Sequence, residues 1–416
     1  MGELTSSGRS FDISEQEVHR AWCTVAANGG APGVDGCSVE RFEEDLDNNL
    51  YKVWNRLSSG TYFPPPVRAC EIPKAHGSGT RVLGVPTVAD RVAQTVVAAR
   101  LAEAVEPVFH ADSYGYRKGR SALDAVEACK QRCWRYDWVI DLDIRAFFDT
   151  VPRGLIVKAV KAHTELAWIV LYVKRWLNAP LQQGNGTVLE RDRGTPQGSA
   201  ISPVLANLFL HYAFDQWLAR EFPQVVFERY VDDAVVHCTS EAQAQRVLAA
   251  LESRFAEVGL QLHPDKTRIV YCQDDNRPGR YPNTEFTFLG FTFRARGARG
   301  KDGTWFAGFQ PAVSKDAMTK MNAEVRSWRL HRRTHVSFGW LAAQINPVVR
   351  GWMNYYGAFY RSALFPLFRR INNYLFRWVR NKYRRLSPFK AARAKWSEVT
   401  QTHPRWLFHW RWVRTI

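Results

Sequence analysis

Apolar residues recur at helical spacing over residues 89–105, 121–133 and 241–258, the period of helices that bury one face. Between these stretches the pattern shortens to β-rich runs at Trp138–Ile144, Val225–Tyr230, Ala234–Cys238, Thr267–Tyr271 and Glu285–Phe293. Residues 12–60 read as short helices around the loop Asn28–Gly36, whose glycines and proline mark irregular backbone. A Pro-rich extended stretch, Tyr62–Val67, leads into a strand–turn–strand unit: Val67–Pro73, a turn through His76–Gly79, then Arg81–Val85. Ala200–Leu210 reads as a buried helix, and from about residue 311 only helical patterns remain. That shift, at the Gly-rich Arg294–Gly300, predicts a domain boundary near 295–311. Strands and helices mixed in this order predict an α+β core with an antiparallel sheet, followed by an all-helical segment.

The 416 residues are 46% apolar, enough for sizeable cores. The longest apolar stretches, such as Ala167–Val173, fall far short of the ~20 residues that span a bilayer. The first ten residues are polar with no hydrophobic run behind them, so an intracellular protein is expected. Seven scattered cysteines with no CxxC pair argue against both a disulfide framework and a zinc ribbon.

Charge changes the picture more. Of the formal net charge of +17, residues 311–416 carry 21 Lys and Arg against three acids, which leaves residues 1–310 nearly neutral. The same 106 residues hold twenty aromatics. So one-sided a field, interleaved with aromatics, points to a polyanion, nucleic acid first.

The chemistry is suggested by acids. In Tyr230-Val231-Asp232-Asp233 two carboxylates stand between apolar runs, at what reads as a hairpin corner. Adjacent carboxylates near a core repel each other unless a cation joins them. Asp143 ends the apolar run Trp138–Ile144, with Asp141 and Asp149 as local competitors. Were the two strand ends side by side, three carboxylates would converge, an oxygen cluster suited to Mg²⁺. Two such ions about 4 Å apart would activate a primer 3′-hydroxyl and stabilise leaving pyrophosphate. An Asp-Asp pair alone reads more readily as a solvated turn; the combination carries the argument.

These boxes resemble those of reverse transcriptases of the group II intron type. Tyr230–Asp233 resembles their catalytic box and Asp143–Asp149 the other acidic box, with Arg193–Pro203 between them similar to the QGxxxSP signature. Gly30–Gly36 resembles the family's N-terminal extension. Ile72-Pro-Lys74, Arg81–Pro86 and Asp90–Gln94 resemble its fingers, and Ser113–Ser121 its further insertion. Leu262–Thr267 and Phe288–Phe291 resemble the end of the palm, and Ile345–Tyr356 the maturase, or thumb, domain. The resemblance implies a right-hand polymerase: an extension over 1–60, fingers and palm over 61–310, and a helical thumb or maturase domain over 311–416.

It also implies roles. Asp143, Asp232 and Asp233 would be catalytic and, with Ile144, form the metal site for two Mg²⁺, for which Mn²⁺ is able to substitute. Lys74 and Arg81 would hold the dNTP triphosphate. Phe148 would be the steric gate that excludes a 2′-hydroxyl, and Gln197 would contact the nucleotide sugar. Gly198 would let backbone approach the base pair. Tyr230, Val231, Arg117 and Lys266 would meet primer, template or nucleotide, Lys266 as a proton donor to pyrophosphate. Arg377 and Arg380 lie on a helix that would track phosphates. Where the family usually carries Ala, this chain has Val231.

Three functions follow. The first is an intron-encoded RNA-directed DNA polymerase and maturase, extending a DNA primer on an RNA or DNA template with dNTPs and binding its own intron RNA. The second is a free-standing relative recruited for DNA repair synthesis or host defence. The third is a catalytically silent RNA-binding splicing maturase, which the three acids with Lys74 and Arg81 argue against. A cytoplasmic, nucleoid-associated bacterial protein is expected. The oligomeric state, a homodimer included, is left open.

Overall fold

A computed structural model of the chain describes residues 11–73, 80–300 and 302–416. It divides into two compact units, one of Met1–Ser121, Leu142–Val236 and Ala242–Thr267, the other of Ala122–Asp141, His237–Glu241 and Arg268–Ile416.

In the first unit the helix Glu15–Asn28 packs against Val88–Val105 and Leu46–Ser58. Ser14 and Glu17 form a capping box at its start. Val67–Pro73 and Thr80–Val85 pair antiparallel from Arg68↔Val85 to Pro73↔Thr80. Leu181–Gln182 adds in parallel to the first of these strands and pairs with Val188–Leu189. The acid-bearing strands of this unit, Val226–Tyr230 and the one that opens at Asp233, are neighbours, and Leu142 and Asp143 end the strand that carries the third acid. The turn between the two neighbours consists of Val231 and Asp232, with Asp233 already in strand. The corner read from the sequence as Asp232–Asp233 therefore lies one residue earlier. Val231 takes a left-handed φ of 63°, which the sequence does not announce.

In the second unit Trp138–Asp141 pairs antiparallel with Arg268–Tyr271. The run Glu285–Phe293 is two strands, Phe286–Phe288 and Phe291–Arg299. Leu289 and Gly290 between them both have positive φ, 50° and 81°, as a two-residue hairpin turn requires. Arg294–Gly300, expected at a boundary because of its glycines, is mostly strand, paired with Trp305–Val313 from Phe291↔Val313 to Arg299↔Trp305. A long ladder overrides the local glycine signal.

Helices Lys315–Ser327, Phe338–Tyr356, Phe365–Lys382 and Phe389–Thr402 follow. On Phe365–Lys382, Leu367, Phe368, Ile371, Leu375 and Trp378 share one buried face, while Arg369, Arg370 and Arg377 are exposed. No described helix is long and apolar enough to cross a membrane.

Candidate active site

Buried Leu142 and Ile144 flank Asp143 and fix the strand end that carries it. The Asp143 carbonyl accepts from the His263 amide at 2.8 Å and from Thr267 Oγ1 at 3.2 Å. Lys266 Nζ donates to Asp143 Oδ2 at 3.0 Å. Both side chains are half-exposed, so this ion pair adds little stability by itself. Ile144 bridges Leu262, and its side chain is apolar and buried, so its main-chain carbonyl is the one group it has to offer a cation.

The Asp232 carboxyl is pushed up from its ordinary value by burial and, more weakly, by the charge of Asp143. The two acids are thus close enough to repel each other. Asp233 follows as the first residue of its strand. Asp143 and Asp232, two carboxylates in mutual repulsion with a lysine ammonium on one of them, are the kind of oxygen donors a hard divalent cation suits, although the oxygens of Asp143, Asp232 and Asp233 do not all come within 4.8 Å of one another. The local competitor Asp141 is engaged by Arg268, Nε to Oδ2 at 3.3 Å.

The residues expected at the nucleotide are joined through main-chain contacts. Phe147 is core, 2% exposed, and Phe148 is half-exposed, so adjacent rings divide between core and surface. The Phe148 carbonyl accepts from the Thr195 amide, and the Gln197 carbonyl from the Gly84 amide, both at 2.8 Å. Gly84 lies on the strand that bears exposed Arg81. A Cβ on Gly198 (φ 111°) would stand 2.8 Å from the Gly84 carbonyl oxygen. Gly198 is therefore required by the strand against which its loop packs. Lys74 lies outside the described residues.

Arg117 departs from expectation. Its side chain is 6% exposed and bonds to Glu106 and to the carbonyls of His110 and Ser113. These contacts spend its donors inside its own loop, so it holds that loop instead of reaching a template. Val231 is buried and Tyr230 half-buried. Arg377 and Arg380 fall in the second unit. Arg377 is exposed, whereas Arg380 is half-buried and donates to the Ser387 carbonyl at 2.8 Å.

Two features escaped the sequence. Tyr116 has a left-handed φ of 54° and is exposed as a residue, yet partial desolvation of its hydroxyl, with Tyr230 and Asp232, pushes it up, Arg81 pulling the other way. Arg81 and Asp232 thus act on one phenol. A buried network around Arg229 joins residues as far apart as Ser113, 116 positions away, a separation at which no local pattern shows.

Residues 72–293 match the family model "Reverse transcriptase (RNA-dependent DNA polymerase)", and residues 318–396 match "Group II intron, maturase-specific domain". Protein YkfC of Escherichia coli is 29% identical over 293 residues, covering 60% of this chain and 75% of that protein. The group II intron-encoded protein LtrA of Lactococcus lactis is 30% identical over 193 residues, 46% of this chain and 32% of that one. The retron Mx162 reverse transcriptase of Myxococcus xanthus is 31% identical over 217 residues, 48% of this chain and 43% of that one. The match thus spans most of the first relative but less than half of the other two. Reverse transcriptases normally work with divalent cations on nucleic acid. With the paired acids at a hairpin turn and a basic helical region after them, the chain belongs to the reverse transcriptase (RNA-dependent DNA polymerase) family, in the group II intron type that adds a maturase-specific domain.

Proposed function

We propose that this chain extends a DNA primer on an RNA or DNA template with dNTPs, using two Mg²⁺ ions, or Mn²⁺ in their place, at Asp143, Asp232 and Asp233. The observation that carries the reading is the Asp232 carboxyl, raised by burial and by Asp143 beside it. Two like charges are held where a cation is the natural third party. Divalent cations bound there supply the charge that favours attack by the primer 3′-oxygen and departure of pyrophosphate.

The chain's own residues do the rest. Arg81, with Lys74, neutralises the triphosphate. Phe148, fixed through its carbonyl by Thr195, lies under the sugar and leaves no room for a 2′-hydroxyl. Lys266, released from Asp143, donates a proton to the leaving group. Residues 61–310 serve as fingers and palm after an extension over 1–60. Residues 311–416 serve as a thumb that holds primer and template. The maturase-specific match at 318–396 supports intron RNA as a further partner.

Purified protein with Mg²⁺ is expected to extend a DNA primer on RNA, and Asp232→Ala to abolish extension with the fold intact. Extension that survives this change refutes the site. Phe148→Ala is expected to admit ribonucleotides; unchanged discrimination places the gate elsewhere.

A further inference from the structure

Arg229 stands three residues ahead of Asp232 in the chain and is 1% exposed. Its guanidinium has five N–H groups, and each finds an acceptor. Nε and Nη2 donate to Asp215 Oδ1 and Oδ2 at 2.7 and 2.6 Å. Nη2 also donates to Ser113 Oγ at 2.9 Å, and Nη1 to Asn207 Oδ1 at 3.0 Å and to the Val231 carbonyl at 2.9 Å. An ion pair serving only stability would be complete with Asp215. Here the remaining donors go to the acidic turn and to the residues that back it.

That turn needs holding. Val231 is buried at a φ of 63°, a conformation that a branched side chain avoids. Gly115 presses on it from the other side: a Cβ there would come within 2.6 Å of Val231 Cγ2 and 2.7 Å of its amide nitrogen. Asn207 ties the two sides together, since its Nδ2 donates to the Gly115 carbonyl at 2.6 Å. Asp215 closes a π-helical turn, His211–Asp215, an irregularity frequent at functional sites.

We infer that Arg229 is a positioning residue: clasped by Asp215, it holds the left-handed Val231 turn through the Val231 carbonyl and so fixes where the Asp232 carboxylate stands. The inference rests on the reading of Asp232 as a catalytic ligand.

Arg229→Lys tests it, since lysine keeps the charge for Asp215 but has three donors on one atom and cannot span the acceptors. The full chain is assayed for primer extension, primer–template affinity, melting temperature and, separately, Mn²⁺ affinity by electron paramagnetic resonance. The expected result is a kcat lower by roughly 10–100-fold and Mn²⁺ binding weaker by about tenfold. The KM for dNTP and the primer–template Kd should stay within about threefold. Wild-type kcat with wild-type Mn²⁺ affinity overturns the inference, as does a loss spread equally over kcat, KM and template affinity. If Arg229→Lys fails to fold, Ser113→Ala, which removes one acceptor and adds no bulk, is read instead. A kcat loss above about threefold at unchanged KM supports the inference, and wild-type kcat refutes it. Should the wild-type chain extend no primer while Arg229→Lys still weakens Mn²⁺ binding, the polymerase reading falls and the positioning role stands.

Discussion

A buried polar hub stands in each unit of the molecule, and these two hubs are built from opposite materials. In the first unit the hub is an ion pair, Arg229 with Asp215, whose spare donors reach a strained turn. In the second it is neutral. Asn372 Oδ1 accepts from His409 Nε2 at 2.8 Å and Trp410 Nε1 at 2.9 Å, and Nδ2 donates to the carbonyls of Val413 and Thr415. Charge is buried where geometry must be exact to an ångström. It is kept on the surface where the task is packing, as on Phe365–Lys382 with its apolar face inside and arginines out. A buried ion pair is a poor source of stability, so its place beside the acids is best understood as a demand of the chemistry.

Removing one partner from each hub should break the symmetry of this comparison most strongly. Asp215→Leu strands the Arg229 charge in the core and is expected to cost about 3–5 kcal/mol, with loss of polymerase activity. Asn372→Leu leaves neutral donors and acceptors unsatisfied and is expected to cost about 1–3 kcal/mol. Its primer-extension chemistry should persist wherever the fold does. Urea unfolding curves of both variants give the comparison. Equal costs would show that the first hub is not held as an ionised pair.

The two units should also answer acid in opposite directions. Burial raises Asp90 to about 6, against hydrogen bonds from Trp176, Tyr62 and Gln94. A carboxyl raised on folding favours the native state most below its unfolded pKa near 4, so the first unit loses stability as pH rises from 4 to 6. The loss is about 3 kcal/mol in order of magnitude. Burial lowers His409 to about 3. Its Nε2 proton goes to Asn372 and its Nδ1 has no partner among the described residues. The unfolded chain therefore binds a proton near pH 6.5 that the native chain refuses. The second unit loses stability as pH falls from 6.5 to 5, by about 2 kcal/mol. Asp90→Asn and His409→Gln should each erase one slope in urea titrations between pH 4.5 and 7.5. A slope unchanged by its own substitution assigns the titration to another group.

What could be read from the sequence divides along the same line. The tail's helices were legible because a single face of Phe365–Lys382 buries Leu367, Phe368, Ile371, Leu375 and Trp378, a period visible in any short window. The acids were legible because Asp232 and Asp233 interrupt apolar runs. The support beneath them was not. Arg229 finds Asp215 14 residues back and Asn207 22 residues back, contacts that exist only once the chain has folded. Arg117 was misread for the converse reason. A basic residue in a Gly-rich loop looks like a nucleic-acid contact, yet the carbonyls of His110 and Ser113 and the carboxylate of Glu106 use its donors. Gly198 shows the same limit: the sequence signals a close approach, but only the fold names Gly84 as what is approached.

The smallest effect on stability belongs to the exposed arginines, and it sharpens the comparison by separating stability from binding. Arg369, Arg370 and Arg377 stand exposed on the outer face of Phe365–Lys382. Each change to Gln is expected to shift unfolding by no more than about 0.5 kcal/mol. If each neutralises one phosphate of the primer–template, each change also removes one released counterion. The slope of log Kd against log salt should then fall by about 0.7–0.9 per arginine, without a change in kcat at saturating template. Arg380 is the internal control, because its Nε is held by the Ser387 carbonyl. Arg380→Gln should alter the salt slope less and stability more than the three exposed positions. Anisotropy titrations between 50 and 200 mM salt, roughly the range over which such slopes resolve, distinguish the cases. Identical slopes for wild type and the triple variant would move the phosphate track off this helix.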